Sequence, residues 1–415
     1  VRAELDRTAL PGPTLDDIRA ARDRVAAVIE TTPMESSRYL SGIAGVPVFL
    51  KAENLQRTGS YKIRGAYNRL SQLTPEERAL GVVASSAGNH AQGVALAARE
   101  LGIRATIFMP NGVALPKLQA TRGYGADVVL HGDVFDETNA AAREFAESSG
   151  GVFIPPFDHP DVVAGQGTLG LEILEQVPDV RTVVVPIGGG GLISGIAAAL
   201  ALAAPERDIR VIGVQASSAA AYPVSLEAGE IVTVAVGPTI ADGIAVARPG
   251  TLNFEIISRT VDEVVTVRDD DISRALVILL ERAKLVVEPA GAAGVAALLS
   301  GAVEVEGPTV VLLSGGNIDP MVMERVISRG LAADSRYLKV HIPLPDRPGQ
   351  LANIAGIIAA ANANVVEVLH TRHGTGLEIS EVGIEIHMET RGGEHAQLVL
   401  SALRDAGYRP QILDR

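Results

Sequence analysis

The chain has 415 residues, 47% of them hydrophobic and 20% charged, with a net charge of -13 and no cysteine. Length and apolar content allow two or three domains with full cores. The acidic balance argues against nucleic acid or an anionic membrane as partner, since both would repel the chain, and the composition excludes disulfides, thiolate catalysis and Cys-based zinc sites.

No apolar run is long enough to span a membrane, and the first residues lack the apolar segment of a signal peptide, so a cytoplasmic enzyme acting on a small molecule is expected. In chain order, the first chemical feature is Thr58-Gly59-Ser60-Tyr61-Lys62-Ile63-Arg64-Gly65-Ala66. It puts one lysine near the start of a mildly apolar helix. Taken alone, Lys62 reads as a solvated surface charge. A strand over Gly81 to Ala84 then leads through Ser85-Ser86-Ala87-Gly88-Asn89-His90 into a helix ending at Leu101. That turn offers free N–H groups for a carboxylate and an Asn side chain for a phenolate or hydroxyl; an ordinary helix cap would look the same.

Short Val and Ile runs go on alternating with helical stretches. Ala105 to Met109 precedes a helix from Pro116, and Asp127 to Leu130 precedes one over Val134 to Ser148. This βαβ rhythm predicts parallel sheets covered on both faces, and Pro155 to Pro160 interrupts it as a crossing between two sheets. The rhythm resumes at Val183, Arg210 to Val214 and Thr309 to Leu313.

After the strand ending at Ile187 come Gly188, Gly189, Gly190, Gly191 and Leu192, at the start of a helix. Side-chain-free residues expose backbone amides at the positive end of a helix dipole, so the turn reads as a cup for a phosphate ester, or else as a glycine hinge. No Lys-Ser or Lys-Thr follows, which rules out a Walker A loop, and the glycine spacing fits no dinucleotide fingerprint. Asp242 and Glu288 are candidates to orient a site, or turn and cap carboxylates. Ser314-Gly315-Gly316-Asn317 closes the last strand with a lone hydroxyl. One lysine, one phosphate cup, one carboxylate cup and one hydroxyl, all at strand ends, together describe a pyridoxal phosphate site.

Beyond a linker over Ser328 to Ser335, the pattern reads βαββαβ, the order of a split βαβ sandwich. Its elements are Tyr337 to Leu344, Leu351 to Ala361, Asn364 to Thr371, Glu378 to Met388, Glu394 to Ala406 and Gln411 to Leu413.

The motifs around Lys62, Ser86 to His90, Gly188 to Leu192 and Ser314 to Asn317, in this order, make the chain similar to the threonine ammonia-lyases (threonine dehydratases). The resemblance implies an α/β fold of type II, tryptophan synthase β-like, in residues 1–328, with a smaller subdomain over roughly 56–159 inserted in the larger. It implies an ACT-like regulatory domain over 336–415. Pyridoxal 5'-phosphate would be held by Lys62 as the Schiff-base lysine, with Tyr61 beside it, Asn89 at the ring oxygen, Gly188, Gly189, Gly190, Gly191 and Leu192 on the phosphate, and Ser314 at the ring nitrogen. Ser86, Ala87, Gly88, Asn89 and His90 would take the substrate carboxylate. Freed Lys62 would be the base, in a β-elimination that converts L-threonine to 2-oxobutanoate and ammonia, and L-serine to pyruvate.

The resemblance further implies the first step of isoleucine biosynthesis, in a homo-oligomer, dimer or tetramer. An amino-acid effector would bind at Gly349 and Asn364, or the appended domain only supports assembly. Two departures matter. Ala87 stands where similar serine racemases carry a second, proton-carrying serine, which disfavours racemisation. Gln215 and Ala221 stand where those racemases place acidic ligands for a divalent metal, so no such metal site is expected, and a monovalent cation stays open. Serine racemase, catabolic dehydratase and non-enzymatic amino-acid sensor are the alternative readings.

Overall fold

A computed structural model describes residues 10–333, 335–372 and 381–413. It divides into two compact units, one ending at Val322 and one beginning at Met323.

In the first unit, α1 (Leu15–Val25) leads into β1 (Met34–Ser36), α2 (Arg38–Ala44) and β2 (Val48–Ala52). Next come α3 (Lys62–Ser71), α4 (Pro75–Leu80), β3 (Val82–Ser85), α5 (Asn89–Leu101), β4 (Ala105–Met109), α6 (Leu115–Gly123), β5 (Asp127–Leu130), α7 (Phe135–Ser149) and β6 (Val152–Phe153). The chain then runs through α8 (Pro160–Gln176), β7 (Thr182–Pro186), α9 (Gly191–Ala203), β8 (Arg210–Ala216), α10 (Ala221–Ala228), α11 (Thr251–Thr260), β9 (Glu263–Val267), α12 (Asp269–Ile278), α13 (Pro289–Ser300) and β10 (Thr309–Leu313).

The βαβ rhythm is borne out, with strand and helix ends shifted by a residue or two. Strands β3 to β6 form a four-stranded parallel sheet in the order β5-β4-β3-β6. The six-stranded sheet has the order β1-β2-β10-β7-β8-β9, parallel except for the β1–β2 pair. Strands β7 and β10 are buried along their whole length, which explains their unbroken apolar runs: helices cover both faces and no position looks at water. Pro155 to Pro160 does lie at the passage from β6 of the small sheet to α8 and β7 of the large one.

Helix α3 carries Lys62 at its first position, and what holds α3 holds the lysine. Its apolar side, Ile63, Ala66 and Leu70, joins a core with Val82, Ala91 and Ile107. Its other side lies against α8 so closely that a Cβ at Gly165 would fall 2.6 Å from the Arg64 carbonyl oxygen and from the Gly65 Cα. Only a glycine fits where two helix backbones approach like this.

A buried ionic cluster fixes the same contact. Arg64, fully buried, donates through Nε and Nη2 to the two Glu53 oxygens at 2.8 and 2.9 Å, and through Nη1 to Glu172 Oε1 at 2.5 Å and Thr168 Oγ1 at 3.1 Å. Lys51 Nζ donates to Glu172 Oε2 at 2.6 Å, Gln176 Oε1 at 2.8 Å and the Thr32 carbonyl at 2.9 Å. Burial raises Glu53, but the Arg64 charge and hydrogen bonds outweigh it and hold the carboxyl below its ordinary range. Two cations and two carboxylates thus neutralise one another away from water.

α14 (Pro320–Ala333) overturns part of the linker expectation: Ser328 to Ala333 are helical. Val326 and Gly330, one turn apart, are both buried, so the helix has an inward face where composition alone suggests a spacer. In the second unit β11 (Tyr337–Pro345), α15 (Gln350–Ala360), β12 (Asn364–Thr371), β13 (Glu381–Glu389), α16 (Gly393–Asp405) and β14 (Gln411–Ile412) follow the expected βαββαβ order. The expected strand start at Glu378 lies outside the described residues. The sheet order is β12-β13-β11-β14, all antiparallel. Leu338, Val340, Ile342 and Leu344 alternate inward along β11 and pack with Ile354 and Leu400 of the two helices.

Glu53→Gln leaves the Arg64 charge undercompensated in a dry site. The variant should lose about 3 kcal/mol of stability, read as a lower urea midpoint at neutral pH. An unchanged midpoint would show that the cluster is not what secures α3.

Candidate active site

Asn89, Gly188 and Ser314 come just after β3, β7 and β10, whereas Lys62 opens α3 ten positions after β2 ends. The segment before Lys62 is stitched to the turn after β10: Tyr61 N–H donates to the Ser314 carbonyl at 3.2 Å, Gly316 N–H to the Gly59 carbonyl at 2.8 Å, and Ser60 bridges Gly315. Asn317 Nδ2 donates to the Thr58 carbonyl at 2.7 Å and to Asn89 Oδ1 at 2.8 Å. Three distant turns, ending β2, β3 and β10, therefore meet.

Lys62 is half-buried, and its Nζ donates to the Pro156 carbonyl at 2.9 Å, with the Tyr61 ring centroid 5.3 Å away. Burial pushes its amine down to about 8, against a smaller opposing pull from Glu288. A lysine in that range can both carry and give up a proton near neutral pH.

Asn89 opens α5. Its Nδ2 donates to Glu288 Oε1 at 2.6 Å while its Oδ1 accepts from Asn317, so the amide orientation is fixed and one Nδ2 hydrogen stays available. Glu288 is buried, and burial, reinforced by the charge of Asp242, pushes its carboxyl up to about 7. The residue stands at the N-cap of α13 but makes no side-chain cap; the carboxyl turns to Asn89 instead. Asp242 is exposed and pairs with Lys117 Nζ of α6 at 2.8 Å.

In the turn before Asn89, Gly88 N–H donates to Ser86 Oγ at 3.1 Å, and a Cβ at Gly88 would project into open space. The first N–H groups of α5 have no carbonyl partner within the helix. The His90 imidazole does not face this turn: its Nε2 lies 2.9 Å from the Ile154 carbonyl oxygen. A carbonyl only accepts, so Nε2 carries the hydrogen. Burial, with the Lys62 charge, drives the ring down to about 3, and it stays neutral.

The glycine turn follows β7. Gly190, at φ +101°, is the N-cap of α9, and the amides of Gly191, Leu192 and Ile193 head that helix without partners inside it. Phe157 lies against this turn, where a Cβ at Gly189 would overlap its ring. Because Pro156 holds Lys62 and Phe157 holds the glycines, the Pro-rich crossing ties lysine and cup together. This donor set fits pyridoxal phosphate: an amine of lowered basicity, a turn of free amides, an oriented Asn amide and a seryl hydroxyl.

Tyr61, beside Lys62, thus contacts Ser314 directly and Asn89 is joined to the same segment through Asn317, with Gly188 to Leu192 reached through Phe157 and Ser86 to Gly88 in the Asn89 turn. Gly349, at φ +89° before α15, and Asn364, at the start of β12, lie in the second unit. Sequence reasoning gave no role to Asn317, Lys117, Pro156 or Phe157. Asn317, Pro156 and Phe157 belonged to segments already singled out; nothing marked Lys117.

The sequence pattern of the family described as pyridoxal-phosphate dependent enzyme matches residues 25–316, and that of the ACT domain matches residues 343–407. An L-threonine ammonia-lyase of Thermotoga maritima is 47% identical over 401 residues, 96% of this chain and 99% of the relative. The chain belongs to the threonine ammonia-lyase family of pyridoxal-phosphate dependent enzymes. Two solved structures are similar to it: the processed form of threonine deaminase isoform 2 from Solanum lycopersicum and maize serine racemase. The first is 38% identical at a TM-score of 0.72, covering 79% of this chain and 92% of that one. The second is 36% identical at a TM-score of 0.72, covering 76% and 98%. No described helix is long and apolar enough to cross a membrane.

The neutral His90 has a consequence for stability. Its folded value, about 3, lies below the ordinary 6.5, so the unfolded chain takes up a proton that the folded chain refuses. This contribution is intact above pH 6.5 and is lost as the pH falls from there toward 3. Urea midpoints measured across that range should fall less steeply in His90→Gln than in the parent.

Proposed function

We propose that the chain converts L-threonine to 2-oxobutanoate and ammonia, and L-serine less efficiently to pyruvate, with Lys62 as both cofactor anchor and base. The observation that carries this reading is the stitching of the segment before Lys62 to the Ser314 turn, with Asn317 tying Asn89 to the same place. Pyridoxal phosphate, when bound, supplies an electron sink for the charge left when the substrate α-carbon loses its proton.

Lys62 would hold the cofactor and, once displaced by the substrate amine, take that proton on Nζ. The hydroxyl leaves from the β-carbon with a proton as water, and hydrolysis then releases ammonia and the oxo acid. Asn89 would present its spare Nδ2 hydrogen to the ring oxygen, held in aim by Glu288 and Asn317. Gly188 to Leu192 would hold the phosphate, and Ser314, a hydroxyl where a carboxylate would favour a charged ring nitrogen, suits elimination. The substrate carboxylate would rest on the main-chain amides from Ser86 to His90, since the His90 ring is committed to Ile154. Ala87 offers no hydroxyl to return a proton to the opposite face, which favours elimination over racemisation. Residues 1–328 would form the catalytic part, with the smaller subdomain near 56–159, and 336–415 the regulatory domain.

Lys62→Ala should lose the visible Schiff-base absorbance and nearly all threonine turnover, and serine should run about 10–200-fold below threonine in the parent, the worth of one methyl in an apolar pocket. Parent-like turnover in the variant, or a preference for serine, would overturn the assignment.

We also propose a cytoplasmic homo-oligomer acting in the isoleucine pathway; its regulation by an amino acid at Gly349 and Asn364 is the part that the ACT match supports. Isoleucine or valine should then shift threonine saturation, with coupling of about 1–3 kcal/mol, and Asn364→Ala should weaken the shift. Curves unmoved by either amino acid would leave the domain an assembly element.

A further inference from the structure

The carbonyl oxygen of Gly189, inside the glycine turn, accepts three hydrogen bonds: from Tyr222 Oη at 3.0 Å, Asn253 Nδ2 at 3.1 Å and Gly250 N–H at 3.1 Å. An oxygen with two lone pairs that serves three donors is strongly committed in direction. One donor comes from α10 and two from the N-terminal turn of α11, so two separate stretches of chain converge on one peptide group. Tyr222 and Asn253 are both fully buried.

The peptide that follows is planar and trans, so its C=O and N–H point in opposite directions. Holding the Gly189 carbonyl therefore holds the Gly190 N–H on the other side. A run of four glycines would otherwise rotate freely at this point. We propose that Tyr222, Asn253 and Gly250 form a clamp that turns the Gly190 amide into the phosphate cup, making Tyr222 and Asn253 positioning residues for the cofactor phosphate. This rests on the assignment of Gly188 to Leu192 as that cup.

The clamp has its own anchors. Gln215, buried at the end of β8, accepts from Tyr222 N–H at 2.8 Å and donates through Nε2 to the Ile187 carbonyl at 3.4 Å, one residue before the glycines. Asp158 accepts from Thr251 and Leu252 N–H at 2.9 and 3.0 Å and so fixes the start of α11 beneath Asn253. Burial, with the Asp158 charge, raises the Tyr222 hydroxyl far above its ordinary value, and it keeps its proton for donation at any working pH. Gln215 thus spans the glycine turn and α10 with neutral hydrogen bonds.

The test compares pyridoxal phosphate with pyridoxal, which lacks the phosphate but reacts with the same lysine. Both are titrated into the full chain stripped of cofactor, and binding is read by absorbance. Tyr222→Phe should weaken pyridoxal phosphate about three- to tenfold, and Asn253→Ala similarly, each leaving pyridoxal unchanged. The two variants are read separately, with thermal melts to show that each folds, so either one carries the test.

Gly190→Ala serves as the control on the cup, since its Cβ would overlap the Tyr222 hydroxyl. If it loses phosphate-selective affinity while Tyr222→Phe and Asn253→Ala keep the parent ratio, the cup stands and the clamp is wrong. If none of the three alters the ratio, the cup assignment falls with the clamp. An equal loss of both ligands in the clamp variants would reduce Tyr222 and Asn253 to packing, and overturn the proposal.

Discussion

The rest of the first unit depends on a charge that has no access to water. The Arg64 guanidinium is tied by two carboxylates from β2's end and α8, and Lys51 completes a balanced set of two cations and two anions. Arg64 stands two residues after Lys62, so the cluster fixes the rotation and height of α3 at the point where the reactive amine emerges. Buried ion pairs are poor sources of net stability, because desolvation consumes most of the attraction. Their geometry is another matter. A bidentate arginine between two fixed carboxylates tolerates little sliding, and beside it the glycine contact of α3 with α8 tolerates no side chain.

Much of the architecture could be read from the chain because its signals are local. Parallel strands covered on both faces leave apolar runs such as Val183 to Val185, and turns that offer backbone amides leave clusters of small residues between strand and helix. The segments around Asn89, Gly188 and Ser314 carry such signals directly after strands, and the one around Lys62 carries its own at the start of α3. What stayed hidden involves partners far apart. Glu53, Arg64 and Glu172 look like ordinary charged positions, since nothing within a few residues marks them as buried. Glu288 could be named but its partner could not: Asn89 is 199 positions away. Part of the expected linker is helical for a related reason. Ser328 to Ala333 is poor in bulky residues, yet a helix needs only a narrow inward face, and Val326 with Gly330 supplies it.

The crossing from β6 to α8 shows how one short stretch can serve several masters. Within four residues, Pro155 to Asp158, it supplies a carbonyl to Lys62, a ring against the glycine turn and a carboxylate to the start of α11. A segment whose sequence reads as a crossing between two sheets also ties the lysine, the glycine turn and α11 together.

Lys62 occupies the first position of α3, where the helix presents the positive end of its dipole. A cation there is disfavoured by about 0.3–1 kcal/mol, so the backbone works in the same direction as burial and against the ammonium form. The Tyr61 N-cap makes no side-chain hydrogen bond to relieve that end of the helix. As a piece of helix design the start of α3 is poor, with a basic residue where an acidic one belongs and no polar cap ahead of it. The discomfort is borne by the cluster at Arg64, less than one turn along, and the reactive amine is a place where the fold gives up local comfort that the next turn restores.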